Sequence, residues 1–410
     1  MTMAADILPE CLIQKILSFL SFKEATKMSI VSKTWMQAWS TLSNLKFIVH
    51  RRKGDIQIVD TIMERYRDGE VLIEKFELSK LFGDSHPVFP LVDKWLDIAL
   101  QNGVKDLILN YTSYPTPIFA ILRAKSLRKL ILKSCPLLPL SLTNGVVNSK
   151  SLRKLSLSYV KLDEIMLQTL LNSFPSIVSF MFEYCSGLET IELVNLQKIK
   201  SVSLKVLRIW DSGGIWEIDA PNLVSFEYMG KLIPQLRIAR QLEHSNVILY
   251  GLDNVNTDWF YKLRKFLSSS NSWFKVTLYI FEYTEIKMEH LLQQHHRVAT
   301  HQVDILEVNR QGQNRECSSF VDALVWSCLP RRLSLQRTPE MFTIYIDRLM
   351  HMKKTIQSTS HGSSNPWYSQ LKDVKAYKSD WKMESWYPVE HKSEELTAMN
   401  LDTYSILLDW

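Results

Sequence analysis

One six-residue template, L-x-x-L-x-L, recurs along the middle of this chain and limits what it can become. Its apolar positions are filled by Ile73/Phe76/Leu78, Val104/Leu107/Leu109, Leu127/Leu130/Leu132, Leu152/Leu155/Leu157 and Ile177/Phe180/Phe182, then by Leu188/Ile191/Leu193, Leu204/Leu207/Ile209 and Leu223/Phe226/Tyr228. The copies start 31, 23, 25, 25, 11, 16 and 19 residues apart. Alternation with period two gives a short strand with one oily edge, which a single strand cannot hide. Copies stacked side by side share a continuous core, so the expected fold is an elongated array of parallel strands with return segments outside. "LDEIMLQTLLNSFPS", residues 162–176, has helical periodicity and is expected to be one return helix, ended at Phe174-Pro175. The 11-residue step from 177 to 188 is either a truncated copy or a loop that mimics one.

The third copy extends further. "LRKLILKSCPL" reads L-x-x-L-x-L-x-x-C-x-L with Cys135 at the ninth position, and Cys185 holds the same offset in the fifth copy. This pattern resembles the leucine-rich repeat. The two cysteines are then expected to be buried ladder residues at the turn after the strand rather than reactive thiols. Positions between the leucines face outward. Two Arg-Lys pairs one copy apart, Arg128-Lys129 and Arg153-Lys154, would form a basic patch. Either these are solvated strand charges or, with Trp210 and Trp216, they recognise a target protein.

Composition narrows the function classes. The 410 residues are 46% hydrophobic and 22% charged, and the net charge of +6 is spread among acids, which does not favour nucleic acid as a partner. No apolar run reaches membrane-spanning length. The 5 cysteines include no CxxC pair and are odd in number, against a disulfide framework or a zinc site and in favour of a reducing compartment, the nucleus or cytoplasm. His290, His295, His296 and His301 lack zinc-ligand spacing and are read as a polar helix face, so no metal is expected. Phosphate-loop, dinucleotide, zinc-protease and nucleophile-elbow motifs are all absent, so neither a catalytic role nor a cofactor is expected.

The N-terminus poses a different problem. "ILPECLIQKILSFL", residues 7–20, is strongly apolar, yet Pro9, Glu10, Gln14 and Lys15 interrupt it and no small-residue cleavage site follows, so it does not read as a signal peptide. Pro9-Glu10 suits a helix start, and Leu12, Ile13, Ile16, Leu17 and Leu20 follow at helical spacing. A short helix around Glu24–Ser29 and a third, N-capped by Ser32 and carrying Trp35, Met36 and Trp39, complete the unit. Three helices of this size cannot bury so much apolar surface among themselves. The excess must meet the rest of the chain or a partner.

"LPECLIQKILSFLSFKEATKMSIVSKTWMQAW" closely resembles the F-box, through Leu8-Pro9, Ile13, Ile16-Leu17, Leu20, Ala25, Ser29, Val31-Ser32-Lys33, Trp35 and Trp39. The resemblance implies docking on a Skp-type adaptor, and through it a cullin, with Leu8, Pro9, Ile13, Ile16, Leu17, Leu20, Val31 and Trp35 packing on or supporting that interface. Toward the C-terminus, Trp273/Val276/Leu278 and Val303/Leu306/Val308 keep the template, "TEIKMEHLLQQHHRV" reads as an amphipathic helix, and residues 320–335 read as a helix followed by a strand. "MFTIYIDRLMHM" reads as another helix and "HGSSNPWYSQLKDVKAY" as a turn and a strand, a tail similar to the C-terminal, FBD-type segment of plant F-box/leucine-rich-repeat proteins. The expected fold is α/β: an F-box over residues 1–45, an irregular leucine-rich-repeat solenoid over 46–310, and an α+β closing segment over 311–410. The function implied is that of a substrate receptor of a cullin-based ubiquitin ligase, non-catalytic itself, with Arg128, Lys129, Arg153, Lys154 and Trp210 expected to contact the target. The alternatives are an F-box scaffold outside a ligase and a receptor that needs a small-molecule co-ligand near Arg128 and Arg153.

Overall fold

The computed structural model describes residues 8–20, 22–49, 53–68, 71–80, 88–112, 114–137, 149–162, 166–167, 169–170, 173–187, 197–200, 203–212, 215–239, 241–293, 301–310, 318–336, 339–358, 368–379, 386–388 and 403–410. They fall in two compact units, residues 1–191 and 192–410.

The first unit runs α1 (Glu10–Ser18), α2 (Phe22–Met28), α3 (Lys33–Ser40), β1 (Asn44–Val49), α4 (Lys53–Asp68), β2 (Lys75–Lys80), α5 (Phe89–Gln101), β3 (Asp106–Asn110), α6 (Ile118–Leu122), β4 (Lys129–Lys133), β5 (Lys154–Ser158) and β6 (Ser179–Glu183). Strands β1 to β6 pair in parallel, in chain order. Parallel neighbours need a crossover, which α4 and α5 supply for the first two steps. The second template position forms one unbroken row, Leu45–Phe76–Leu107–Leu130–Leu155–Phe180, and none of these is more than 1% exposed. Of the return helix expected over 162–176, residues 166, 167, 169 and 170 are described and helical. The sixth copy, Leu188/Ile191/Leu193, lies outside the described residues.

Each strand from β4 to β6 ends in a left-handed residue, Ser134 (φ 54°), Tyr159 (φ 55°) and Tyr184 (φ 51°). The kink turns the next side chain inward, and two of the three are the predicted ladder cysteines. Cys135 Sγ donates to the Lys133 carbonyl at 3.1 Å and approaches Leu109 O of β3 at 3.6 Å; Cys185 Sγ reaches Leu157 O of β5 at 3.5 Å. Burial pushes both thiols up, that of Cys185 to about 11. They are packing groups, as the repeat pattern requires.

The second unit contains β7 (Gln197–Lys200), β8 (Val206–Trp210), β9 (Ile215–Asp219), β10 (Ser225–Gly230), β11 (Gln235–Arg237), β12 (His244–Leu252), α7 (Thr257–Leu267), β13 (Ser272–Ile280), α8 (Met288–Gln293), β14 (Gln302–Arg310), α9 (Ser318–Cys328), β15 (Pro330–Gln336), α10 (Pro339–Ser358), β16 (Asp373–Ser379), β17 (Trp386–Pro388) and β18 (Thr403–Asp409). Within this unit, strands β8, β10, β12, β13, β14 and β15 pair in parallel, in chain order. A second, small sheet, β11-β9-β7, forms the return segments of the tight copies. A strand return needs fewer residues than a helical one, which accounts for the spacings of 16 and 19. Beyond β15 the direction reverses: β18 pairs antiparallel with β15, then β16 with β18 and β17 with β16. Helix α9 is buried on every side over residues 320–328, and its one acid, Asp322, is gripped by the Arg348 guanidinium from α10 through two bonds of 2.6 Å.

Candidate functional site

Helices α1 to α3 close around Ile13, Leu17, Ala25, Trp35, Ala38 and Leu42, with Leu20, Met28, Val31 and Trp39 partly buried against them. Pro9 starts α1 with Glu10 in its first turn, and the Ser32 hydroxyl accepts from Trp35 N at 3.4 Å to start α3. The ring of Phe22 meets Phe47 of β1 at 5.1 Å, so α2 rests on the first strand.

The residues expected at the adaptor interface therefore divide. Ile13, Leu17 and Trp35 are internal and hold the helices together, while Leu20 and Val31 sit at the margin. Leu8, Pro9 and Ile16 face outward. The structure adds Leu12, Phe19 (80% exposed), Ile30 (85%) and Met36 to the exposed apolar side chains of this three-helix unit. The signal for Leu12 and Phe19 was present: α1 carries two apolar stripes, 13/17/20 inward and 12/16/19 outward, and a helix that is oily on two faces must be covered on both.

The second feature lies at the N-terminal rim of strands β3 to β5. Lys105, Lys125, Ser126, Arg128, Ser151 and Arg153 line a cleft of about 410 Å³. The backbone ladder stacks its residues: Arg128 N and Lys129 N both donate to Lys105 O, at 2.8 and 3.0 Å, and Arg153 N and Lys154 N repeat this on Arg128 O at the same distances. The two predicted Arg-Lys pairs are thus split. Arg128 and Arg153 point into the rim cleft, whereas Lys129 and Lys154 are the first residues of β4 and β5, with Lys129 Nζ 4.0 Å from Asp106. Arg153 Nη1 donates to the carbonyls of Lys150 and Ser176, at 3.2 and 3.0 Å, which fix its direction, and it forms no ion pair among the described residues. Lys105 and Lys125, which sequence reasoning missed, join this cleft only because the ladder brings successive copies into register.

Trp210 belongs to the second unit, where Arg208 lies over its ring at 5.0 Å and pairs with Glu227 at 2.8 Å. Of Trp216 only the backbone, in β9, is described. His295 and His296 lie outside the described residues, and among the described residues no group of three or more His, Cys, Asp or Glu could hold a metal ion. Among the same residues no helix is long and apolar enough to cross a membrane.

Comparison with known proteins matches both halves of this geometry. The family described as At1g61320/AtMIF1, LRR domain matches residues 62–324, and the F-box domain family matches residues 6–47. Three relatives come from Arabidopsis thaliana. The putative F-box protein At1g49610 is 28% identical over 222 residues, 53% of this chain and 52% of that protein. The putative F-box/LRR-repeat protein At3g44810 is 29% identical over 252 residues, 55% of this chain and 54% of that protein. The FBD-associated F-box protein At5g38590 is 31% identical over 224 residues, 53% of each chain. The chain spans about half the length of the curated relatives it matches. Neither matching family is one of enzymes.

Proposed function

The chain belongs to the At1g61320/AtMIF1 LRR-domain family and is a plant F-box/LRR protein, and from that premise we propose that it is the substrate-recognition subunit of a cullin-based ubiquitin ligase. F-box domains generally bind Skp-type adaptors. Residues 1–45 would hold the adaptor, and through it the cullin; residues 46–310 would hold a target protein, and residues 311–410 would close the end of the repeat array. The protein performs no chemistry itself. It raises the effective concentration of the target at the transfer centre, which the other subunits carry. Its place of action would be the nucleus or cytoplasm.

The observation that carries this reading is the outer apolar face of α1 to α3, with Leu8, Leu12, Ile16, Phe19, Ile30 and Met36 exposed over a core that is already closed. An apolar patch of this kind marks an interaction surface. The test is capture of a purified plant Skp-type adaptor by the full chain. Wild type should retain it, and replacing Leu8 and Pro9 by Ala, or Ile16 and Ile30 by Ser, should abolish capture without unfolding the chain. Undiminished capture by both variants would overturn the docking assignment. Capture of adaptor with no cullin from plant extract would mark a scaffold outside a ligase.

A further inference from the structure

We propose that the cleft between β11 and α7, within the second unit, takes an extended acidic segment of another polypeptide, which adds a strand to the open edge of β11. The cleft lies among the return segments. The inference therefore goes beyond the receptor reading above and depends neither on the adaptor face nor on the rim of the parallel strands.

The open edge arises where the return segments change type. Strands β7, β9 and β11 form one small sheet, and the return of the following copy is the helix α7. A helix satisfies its backbone internally, so it cannot continue a strand ladder. Strand β11 is therefore the last of its sheet among the described residues. Ala220 N donates to Arg237 O at 3.0 Å, which turns the backbone groups of Arg237 toward β9. Strand alternation then points the N–H and C=O of Leu236 the other way, into the cleft. An edge of this kind pairs readily with an added strand.

The cleft measures about 500 Å³, and Pro234, Leu236, Tyr261 and Phe266 give it an apolar floor. Its walls are fixed. The Tyr228 hydroxyl donates to Leu232 O at 2.7 Å just before β11, and the Phe266 ring packs on Trp273 at 4.9 Å. The lip is basic: Arg237 comes from β11, and Lys262 and Lys265 stand exposed one turn apart on α7. The acids nearby are Asp258 in the cleft and Glu217, which lies 3.4 Å from Arg237. Lys262 and Lys265 form no ion pair among the described residues. An incoming residue level with Leu236 turns its side chain inward onto the apolar floor, and its two neighbours turn outward past the cations. The pattern that fits is acidic, apolar, acidic. A nucleic acid would meet the cations but leave the floor uncovered and the edge unpaired, whereas an acidic strand uses all three.

The experiment uses the full chain and two libraries of nine-residue peptides, at about 0.15 M salt. In the first, glutamate fills positions three, five and seven, and a mixture of valine, isoleucine, leucine and phenylalanine fills positions four and six. In the second, lysine replaces the glutamates. A single-stranded RNA is the further probe. The acidic library should be retained at least tenfold more strongly than the basic one. The double variant Lys262→Glu, Lys265→Glu should reverse that preference, and Lys262→Gln, Lys265→Gln should weaken it severalfold should the charge reversal disturb folding. Retained peptides are then N-methylated at alternate residues, in either phase. One phase should abolish retention and the other leave it, because only one edge of the added strand faces β11. Equal retention of the two libraries overturns the inference, as does a preference that survives both variants, two methylation phases that act alike, or retention of RNA in preference to acidic peptides. Adaptor capture is measured on the same samples. Its loss in wild type with peptide binding intact sinks the receptor reading alone, whereas intact capture without acidic-peptide preference sinks this inference alone.

Discussion

The three N-terminal helices and the strands that follow them are both rich in large apolar residues, yet they dispose of them in opposite ways. Along β1 to β6 the second template position is shielded to within 1% of completely, from Leu45 to Phe180. In α1 to α3 the stripe through Ile13 and Leu17 is equally hidden, while the stripe through Leu12, Ile16 and Phe19 stands in solvent. Each strand copy covers its neighbour's edge, so the array satisfies itself as it grows. The helices rest on β1 and on α4, where Arg65 lies over the Trp39 ring and the Tyr66 hydroxyl donates to Leu42 O, and among the described residues no repeated copy covers their other stripe. Burying one such side chain is worth about 1.5–3 kcal/mol, so an outer face of six is a strong incentive for another polypeptide to bind there.

If this contrast is right, cutting a strand position should cost the most. Phe182→Ala removes a ring that is fully buried in β6 and should lower the unfolding free energy by about 3–5 kcal/mol in a denaturant titration. A loss under 1 kcal/mol would mean that the repeats are not the source of the unit's stability. On the outer helical face the outcome should invert. Ile16→Ala and Ile30→Ala should each change stability by less than about 0.5 kcal/mol, while adaptor affinity falls by about tenfold or more, as for a central interface residue. Should either variant unfold the chain instead, the outer stripe would be structural and the contrast would fail.

How much of this could be read in advance depends on which residue filled each template position. Leu130 and Leu132 announced β4, and Cys135 announced the turn after it, because leucine at period two and a small thiol at the kink have few other uses. Strand β12 went unseen because Ser245 stands where the pattern wants leucine: it pairs in register with Phe226, is buried, and its hydroxyl accepts from Phe274 N at 2.8 Å. That bond makes a polar residue acceptable in the core, and no local signal discloses it. Strand β1 fits the template as Leu42/Leu45/Phe47, but Leu42 also closes the helical core, so one residue serves two modules and blurs their boundary. The small sheet of β7, β9 and β11 was hidden in the short spacings, where a return of so few residues does not specify strand over loop. In the rim cleft, Arg128 and Arg153 were legible as neighbours, one copy apart. Lys125 was not, since it lies on the connection before β4, outside the template.

A smaller effect separates helix stability from docking. Ser32→Ala deletes the cap on Trp35 N and should cost about 0.5–1 kcal/mol in unfolding free energy. It touches none of the outer stripe, so adaptor affinity should fall by less than about threefold, a change of under 1 kcal/mol. A loss as large as that of Ile16→Ala would mean that docking reads the rigidity of α3 rather than the exposed side chains.

The smallest expected effect concerns charge on the open strand face. Glu77 of β2 sits between Lys46 and Lys75, at 2.9 and 3.1 Å. Burial raises its pKa, but the hydrogen bonds from the two lysines outweigh this and hold it below the ordinary glutamate value. A carboxyl whose folded pKa is depressed contributes stability that is present above its unfolded pKa, about 4.3, and is lost as pH falls through the lower folded value. Because both lysines are more than a third exposed, the contribution should be no more than about 1 kcal/mol. Urea titrations at pH 6 and pH 3 should therefore give a smaller pH-dependent loss for Glu77→Gln than for wild type, with the two proteins nearly equal at pH 3. A loss at pH 6 comparable with that of Phe182→Ala would place the stability of the array in its surface charges, and the apolar ladder could no longer account for why strands hide what the helices leave open.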